Sequence, residues 1–442
     1  MTRNLTRREF IGTAAGTAVA GAAAAAVAAQ AERPNVVFIL ADDLGYGDLS
    51  CYGRPDYQTP VLDQMAREGL RFTSAYAAAP VCTPTRCALA TGRYPQRLAV
   101  GLTEPLKKGT ADMEIGLPPE HPTISSRLNA NGYETALIGK WHLGWKPEFG
   151  PNQHGYHEFF GVLSGTADYF THSGDLWENQ TPVQRVGYLT DLLSERAVRF
   201  ITRRHAKPFY LSLHYTAPHS PWEGPEDAAI GHDAHGEGPM IKGGSRAIFG
   251  SMVKSMDAGI GRVLNALTTA AANRNTLVIL TSDNGGERYS FNWPFSFQKF
   301  DLWEGGIRVP AIVRWTGKVP AGRSTDQAII TMDWASTILA VTGTSPDPSY
   351  PLDGEDLWPI VTGARDVYDR TLFWRTIMHD AARVGRWKYL KTSGVEHLFD
   401  LSTDLGEKND VRDTQSEVFE RIKTQFTAWN AQMLPKPLEP SH

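Results

Sequence analysis

NVVFILADD, Asn35 to Asp43, is a run of apolar residues that ends in two adjacent aspartates. Apolar side chains at consecutive positions, rather than at alternate ones, mark a strand covered on both faces. Three further runs share the pattern. YETALIG (133–139) runs into Lys140, Trp141 and His142, and PFYLSLHY (208–215) leads through Thr216-Ala217-Pro218 to His219. TLVILTS (276–282) ends at Asp283-Asn284-Gly285-Gly286. Helical patterns lie between them. Thr59-Pro60 reads as an N-cap with proline at the first helical position, opening an apolar stripe through Val61, Leu62, Met65 and Leu70. Residues 187–203 and 250–270 also carry helical periodicity. Strands alternating with helices predict an α/β fold, a large and mostly parallel sheet sandwiched by helices. Ligands bind at the carboxyl ends of such strands, so the four polar clusters are expected to share one crevice.

The texture changes after residue 365. RTLFWRTI, AARVGRWKYLKT and EHLFDLS read as short antiparallel strands, followed by an amphipathic helix near 415–433. A catalytic domain over 33–364 and a small C-terminal α+β subdomain over 365–442 are expected.

The chain has 442 residues, a formal net charge of −4 and 21% charged residues. That is globular composition and excludes a polycation built for nucleic acid, so any affinity for an anion must be local. At the N-terminus, Arg7-Arg8-Glu9-Phe10-Ile11 precedes a weakly apolar Ala/Gly/Val run and the A-x-A-like Ala29-Gln30-Ala31. Residues 1–31 therefore resemble a twin-arginine signal peptide, too weakly apolar for a stable membrane anchor. The expected partner is the twin-arginine export machinery, and the expected location periplasmic or secreted.

Cys51, Cys82 and Cys87 are three in number, so at most one disulfide can form. With no C-x-x-C or histidine pair nearby, a cysteine zinc site is not expected. Two of them lie in VCTPTRCALATGR (81–93). Thr83-Pro84 reads as an N-cap and first helical position, with a short helix over Thr85–Thr91 ending at Gly92. Cys82 then stands just before a helix N-terminus, where free N–H groups favour an anion. Arg86 in the first turn opposes the helix's own electrostatic preference, which suits a residue kept to hold an anion. Spacing alone leaves Cys82 equally readable as a small packed residue. The Asp42-Asp43 and Asp283-Asn284 pairs are common turn chemistry taken singly. Together they offer only oxygen donors, which suit Ca2+ or Mg2+.

Cys82-Thr83-Pro84-Thr85-Arg86, followed by Thr91-Gly92-Arg93, resembles the C-x-P-x-R…T-G-R signature of type I sulfatases. These are the formylglycine-dependent, arylsulfatase-like enzymes of the alkaline-phosphatase-like superfamily. ADDLGYGD (41–48), GKWHLG (139–144), APHSP (217–221), SDNGG (282–286) and EGGIRVP (304–310) follow that family's order over roughly residues 33–430. The family's usual Ser after the proline is Thr85 here, which keeps the hydroxyl.

The resemblance implies that Cys82 is oxidised to Cα-formylglycine by a formylglycine-generating or sulfatase-maturing enzyme, with Cys87 as packing. It implies one Ca2+ held by Asp42, Asp43, Asp283 and Asn284 and touched by the modified Cys82. Arg86 would hold the diol and the metal-side carboxylates, and Lys140 and Lys299 would bind sulfate. His142 would contact the diol and accept its proton, while His219 would contact sulfate or protonate the leaving oxygen. Glu304 to Pro310 would shape a turn before a strand. The implied activity is hydrolysis of sulfate monoesters of carbohydrates or aryl alcohols. Phosphonate or phosphodiester hydrolases of the same fold share C-x-P-x-R, and a non-catalytic calcium-dependent glycan binder is a further alternative. The Asp-Asp/Asp-Asn donors and Lys299 favour sulfate, and the intact constellation favours catalysis. Trp145, Trp177, Trp222 and Trp293 are candidate sugar-stacking residues.

Overall fold

The structure is a computed structural model that describes residues 33–227 and 244–437; the expected signal segment 1–31 lies outside the described residues. Among the described residues, eleven strands form the main sheet. They are β1 (Asn35–Ala41), β2 (Leu70–Tyr76), β3 (Glu134–Lys140), β4 (Glu158–Val162), β5 (Leu176–Glu178) and β6 (Thr181–Pro182). β7 (Phe209–His214), β8 (Thr276–Ser282), β9 (Arg308–Arg314), β10 (Arg323–Thr325) and β11 (Ile329–Ile330) complete it. The order is β10-β2-β9-β8-β1-β7-β3-β4-β5-β6, with β11 also on β2.

The four strands read from sequence, β8, β1, β7 and β3, are adjacent and mutually parallel. Their ends are level: Ala41 pairs with Ser282, Leu40 with His214, and Gly139 with His214. The polar residues that follow each strand therefore emerge along one edge. The sheet is mixed outside this centre. β9 runs antiparallel between β2 and β8, and β5 and β6 form an antiparallel edge.

Alternate residues of β1 serve opposite layers. Val37 and Ile39 pack with Leu62, Leu193, Phe200, Met252 and Ile260 of the helices Pro60–Arg67, Leu189–Thr202 and Arg246–Thr269. Val36, Phe38 and Leu40 pack with Cys87, Leu128, Trp334 and Ile338 of the helices Cys82–Thr91, Ile124–Ala130 and Met332–Val341. Each such side chain, fully out of water, contributes about 1.5–3 kcal/mol. Gly139 is required by close approach: its φ is +119°, and a Cβ there would lie 1.7 Å from the His214 carbonyl oxygen. A side chain at 139 would push β3 off β7 just where Lys140 begins.

The C-terminal part is a four-stranded antiparallel sheet of β12 (Thr371–Arg375), β13 (Asp380–Val384), β14 (Trp387–Thr392) and β15 (Val395–Asp400). The helix Ser416–Asn430 lays Phe419, Ile422, Phe426 and Trp429 on it. The same apolar cluster takes in Tyr76, Ala88 and Ile307 of the main body. An ionic junction lies beside it. Lys388 Nζ is 3.0 Å from Glu304 Oε1 and 2.7 Å from Glu407 Oε1, and Arg308 Nη1 is 3.0 Å from Glu304 Oε2. The expected turn at Glu304 is one helical turn, Glu304–Ile307, running into β9.

Three local expectations are revised. Leu70, read as part of the stripe opened at Pro60, is the first residue of β2, because that helix ends at Arg67. The helix carrying Arg86 starts at Cys82, not at Thr85, so Pro84 is its third residue. A proline is tolerated there because the first four N–H groups of a helix have no internal partner. Thr83 does not cap this helix; its hydroxyl lies 3.3 Å from the His142 carbonyl and accepts from Leu106 N. Gly92 ends the helix at φ +69°, as expected. Thr59 is the N-cap of Pro60–Arg67 by position only, since its hydroxyl bonds Ser50 and Asp63. The orphan N–H groups of Val61 and Leu62 go to Asp257 of the helix Arg246–Thr269, at 3.1 and 2.9 Å.

Candidate active site

The strand ends are tied to one another before any side chain is placed. Asp283 N donates to Ala41 O, Asp42 N to Ala217 O, and Leu44 N to the Ser282 hydroxyl. Asp43 and His142 sit at positive φ, 63° and 56°. Such backbone is uncommon outside glycine and clusters at functional sites, where surrounding contacts enforce it.

The candidate metal ligands Asp42, Asp43, Asp283 and Asn284 lie at this edge with Cys82, Arg86, Lys140, His142, His219 and Lys299. Carboxylate oxygens of Asp42, Asp43 and Asp283 fall within 4.8 Å of one another, as do ligand atoms of Asp42, Cys82 and His219. Arg86 donates from Nε and Nη2 to Asp283 Oδ2 at 3.1 and 2.8 Å, and from Nη1 to Lys140 O at 3.1 Å. Its Nη2 is also 3.6 Å from Asp42 Oδ1. Lys140 Nζ donates to Asp42 Oδ2 at 2.6 Å, and Lys299 Nζ to Asp43 Oδ2 at 2.8 Å. Asn284 Nδ2 donates to Asp43 Oδ1 at 2.7 Å.

The donor set fits a hard cation. Asp42 Oδ1 and Asn284 Oδ1 are buried oxygens that accept no hydrogen bond. Leaving such groups unsatisfied is costly, and a metal ion removes the cost. Asp42, Asp43 and Asp283 are matched in number by Arg86, Lys140 and Lys299, and burial, with Asp42 beside it, raises Asp283 to about 7; the set is neutral when all three carboxyls are ionised. A divalent cation held there would leave it positive, which suits an anionic substrate.

The histidines are neutral bases. His142 Nε2 donates to Leu106 O at 3.0 Å, which leaves Nδ1 buried with no partner. Burial, with Lys140 beside it, holds this ring well below the usual histidine range. His219 Nδ1 donates to Ser220 O at 2.6 Å, so its Nε2 lone pair receives Lys299 Nζ at 3.1 Å. Burial and then Lys299 press His219 down to about 3. Burial opposes ionisation of Asp43, but Lys299 and His219 outweigh it and hold the carboxyl below its usual range. Burial likewise opposes the charge on Lys299, yet Asp43 raises it. Burial pushes the Cys82 thiol up despite Lys140 and Lys299.

One residue of this cluster was not singled out from sequence. His214, the last residue of β7, has Nδ1 3.4 Å from Arg86 Nη1 and 3.2 Å from Lys140 O, and Nε2 2.8 Å from the Ser212 hydroxyl. An ionisable residue closing a largely apolar strand was the available signal. Of the four candidate tryptophans, Trp222 is buried and Trp145 and Trp177 half-buried, whereas Trp293 is exposed. All three cysteines are free.

Comparison with known proteins assigns the class. The Sulfatase family profile matches residues 34–344, and that of the N-sulphoglucosamine sulphohydrolase C-terminal region matches residues 292–432. N-acetylgalactosamine-6-sulfatase of Canis lupus familiaris is 34% identical over 407 residues, covering 84% of this chain and 74% of its own length. Arylsulfatase A of Homo sapiens is 31% identical over 448 residues, covering 86% and 83%. The crystal structure of Ps i-CgsB in complex with k-i-k-neocarrahexaose superposes with a TM-score of 0.82 at 32% identity, over 90% of this chain and 92% of that one. Fold and site define a hydrolase of the alkaline-phosphatase-like superfamily. Within it, this chain belongs to the sulfatase family and is a sulfuric ester hydrolase.

Proposed function

We propose that this sulfatase acts on sulfated carbohydrates outside the cytoplasm, with Cys82 converted to formylglycine and one calcium ion held by Asp42, Asp43, Asp283 and Asn284. The observation that carries the reading is Cys82 itself. It opens a helix with its sulfur among ligand atoms of Asp42 and His219, yet burial raises its thiol out of thiolate range. A cysteine so placed is a poor nucleophile as a thiol. Hydrated formylglycine would supply two hydroxyls on one carbon, one to attack sulfur and one whose deprotonation frees sulfate.

The chain's own residues supply the rest. Arg86, Lys140 and Lys299 oppose the charge of the ester and the charge that develops as its C–O oxygen departs. His142 presents the unpartnered Nδ1 as a proton acceptor. Lys299 Nζ and His219 Nε2 share a hydrogen bond and hold the proton that the leaving oxygen takes. His214 and Ser212 position Arg86 from behind. A calcium ion held by Asp42, Asp43, Asp283 and Asn284 would lower the cost of bringing a nucleophile to an anion.

The substrate class draws support from the relatives. One relative is named N-acetylgalactosamine-6-sulfatase, and one solved relative is a complex with a neocarrahexaose. The twin-arginine-like residues 1–31 are consistent with export to a polymer that does not enter cells. Mass spectrometry of the tryptic peptide 72–86, from protein made with a maturation enzyme, tests the carrying step. Conversion of the Cys82 thiol to an aldehyde is expected; an intact thiol in active protein overturns it. A panel of defined sulfated mono- and oligosaccharides tests the substrate.

A further inference from the structure

The segment between Asn284 and Glu304 does more than deliver Lys299. It leaves the site at Gly286 and returns at Lys299, whose N–H donates to Gly286 O at 3.1 Å. The Asn292 amide staples the loop, with Oδ1 accepting from Gly286 N and Nδ2 donating to Gly286 O, both at 3.1 Å. A compact loop with joined ends is an Ω-type excursion. It carries three large apolar side chains in water: Trp293 is 65% exposed, Phe297 57% and Phe300 50%.

Two of these residues hold unfavourable backbone. Phe297 has φ 62° and Phe300 φ 76°. A bulky residue in that region is strained where glycine is not. Burial does not repay the strain at Phe300, because half of the side chain is in water. Strain kept at an exposed aromatic points to a use for the ring. Phe300 is also tied to the nucleophile loop: its N–H donates to Pro80 O at 2.8 Å, two residues before Cys82. Lys299 Nζ lies 5.4 Å from the centre of the Phe300 ring. Phe297 is propped from behind by Trp303, stacked at 4.6 Å and 26°.

We propose that Phe300 is the stacking platform for the pyranose ring that bears the sulfate, with Phe297 and Trp293 extending the surface toward neighbouring sugars. The inference rests on the reading of this site as a carbohydrate sulfatase. A pyranose presents an apolar C–H face that suits an aromatic ring, while its sulfate is held by the adjacent cations. Exposed aromatic patches of this kind mark ligand surfaces. Phe300 is thus a specificity residue. It grips the sugar and leaves the anion to Lys299 and its partners.

The test compares wild type with Phe300→Gly, Phe300→Leu and Phe300→Tyr on a sulfated saccharide that wild type hydrolyses, with inorganic sulfate as competitive inhibitor. Phe300→Gly and Phe300→Leu are expected to lose about tenfold in kcat/KM, mostly through KM, while Phe300→Tyr keeps the flat ring and the activity. Inhibition by sulfate is expected to be unchanged. The melting temperature of Phe300→Gly is expected to match or exceed wild type, because glycine relieves the backbone strain. Phe300→Leu with wild-type kinetics overturns the platform, as does sulfate inhibition that weakens in step with KM. An enzyme that cleaves aryl sulfates but no saccharide in the panel overturns the substrate reading and the platform with it. An enzyme active on saccharides with indifferent variants overturns the platform alone.

Discussion

Lys140 Nζ donates to Asp42 Oδ2 at 2.6 Å with both side chains fully out of solvent. Removing one partner of a buried ion pair strands the other charge and costs about 3–5 kcal/mol. Lys140→Met is expected to lower the stability of metal-free protein by that order in urea unfolding. Calcium is expected to restore much of the loss, since the cation takes over the charge of Asp42. Turnover is not expected to return: one preorganised cation removed from a developing negative charge costs about 10²–10³ in kcat. Recovery of both stability and turnover on adding calcium contradicts a role for Lys140 toward the substrate.

The metal itself is checked by the two orphaned oxygens, Asp42 Oδ1 and Asn284 Oδ1. An ion that binds only the folded state adds about 2.7 kcal/mol at a free concentration a hundred times its dissociation constant. Calcium added to chelator-treated protein is expected to raise the unfolding midpoint accordingly and to restore aryl sulfate hydrolysis. Asn284→Leu is expected to weaken that stabilisation. Identical midpoints with chelator and with excess calcium would sink the assignment.

Much of this site was legible in the sequence because parallel strands impose it. Consecutive apolar residues in β1, β3, β7 and β8 mark buried strands, and adjacent parallel strands must deliver their following residues to one edge. What was not legible depends on contacts remote in the chain. Nothing local in Arg308–Arg314 reveals that β9 lies antiparallel between β2 and β8. The Thr83 hydroxyl, read as a helix cap, is taken up instead by His142 O and Leu106 N, both remote in the chain. His214 looked like the tail of an apolar strand until Arg86 was placed beside it. The positive φ of Phe300 has no signature in residue type, since phenylalanine is a poor choice for that backbone.

Asp257 gives a pH dependence with a definite sign. Its carboxylate caps the helix Pro60–Arg67 from another helix, and burial raises it from 3.8 to about 6. The folded state therefore binds this proton more tightly than the unfolded chain does. The resulting stability is fully present below about pH 3.8 and is lost as pH rises through about 6. Asp257→Asn is expected to flatten this component of the stability curve between those limits. It is also expected to lose about 0.5–2 kcal/mol, because the amide turns a donor toward one helix N–H. A difference curve between wild type and variant that rises with pH over this window would contradict the assignment.

Lys388 is the electrostatic keystone between the two sheets. It pairs with Glu304 and Glu407 at 3.0 and 2.7 Å, and the three side chains are buried. Lys388→Met leaves two carboxylates facing each other, with Arg308 as the remaining cation on Glu304. A loss of about 3–5 kcal/mol is expected in urea unfolding. Adding Glu304→Gln and Glu407→Gln is expected to recover part of it, because neutral amides need no counter-charge. A single variant within about 1 kcal/mol of wild type shows that the apolar cluster alone holds the junction.

Charge cannot separate a sulfate monoester from a phosphodiester, since both are monoanions; the number of free oxygens can. The monoester offers three non-bridging oxygens to Lys140, Lys299 and the proposed cation. A diester replaces one of them by an ether-like oxygen bearing carbon. That oxygen is a weak acceptor, and it must face one of these cations in a site where Lys140 and Lys299 are almost without solvent. A buried charged donor left without a good acceptor costs about 1–3 kcal/mol or more. The enzyme is therefore expected to favour 4-nitrophenyl sulfate over methyl 4-nitrophenyl phosphate by about ten- to a hundredfold in kcat/KM, beyond the intrinsic difference in reactivity. Lys299→Ala is expected to narrow the ratio, because the void it leaves accepts the methyl group. Faster diester hydrolysis by wild type, with Lys299→Ala leaving the ratio unmoved, means that the two lysines do not count oxygens.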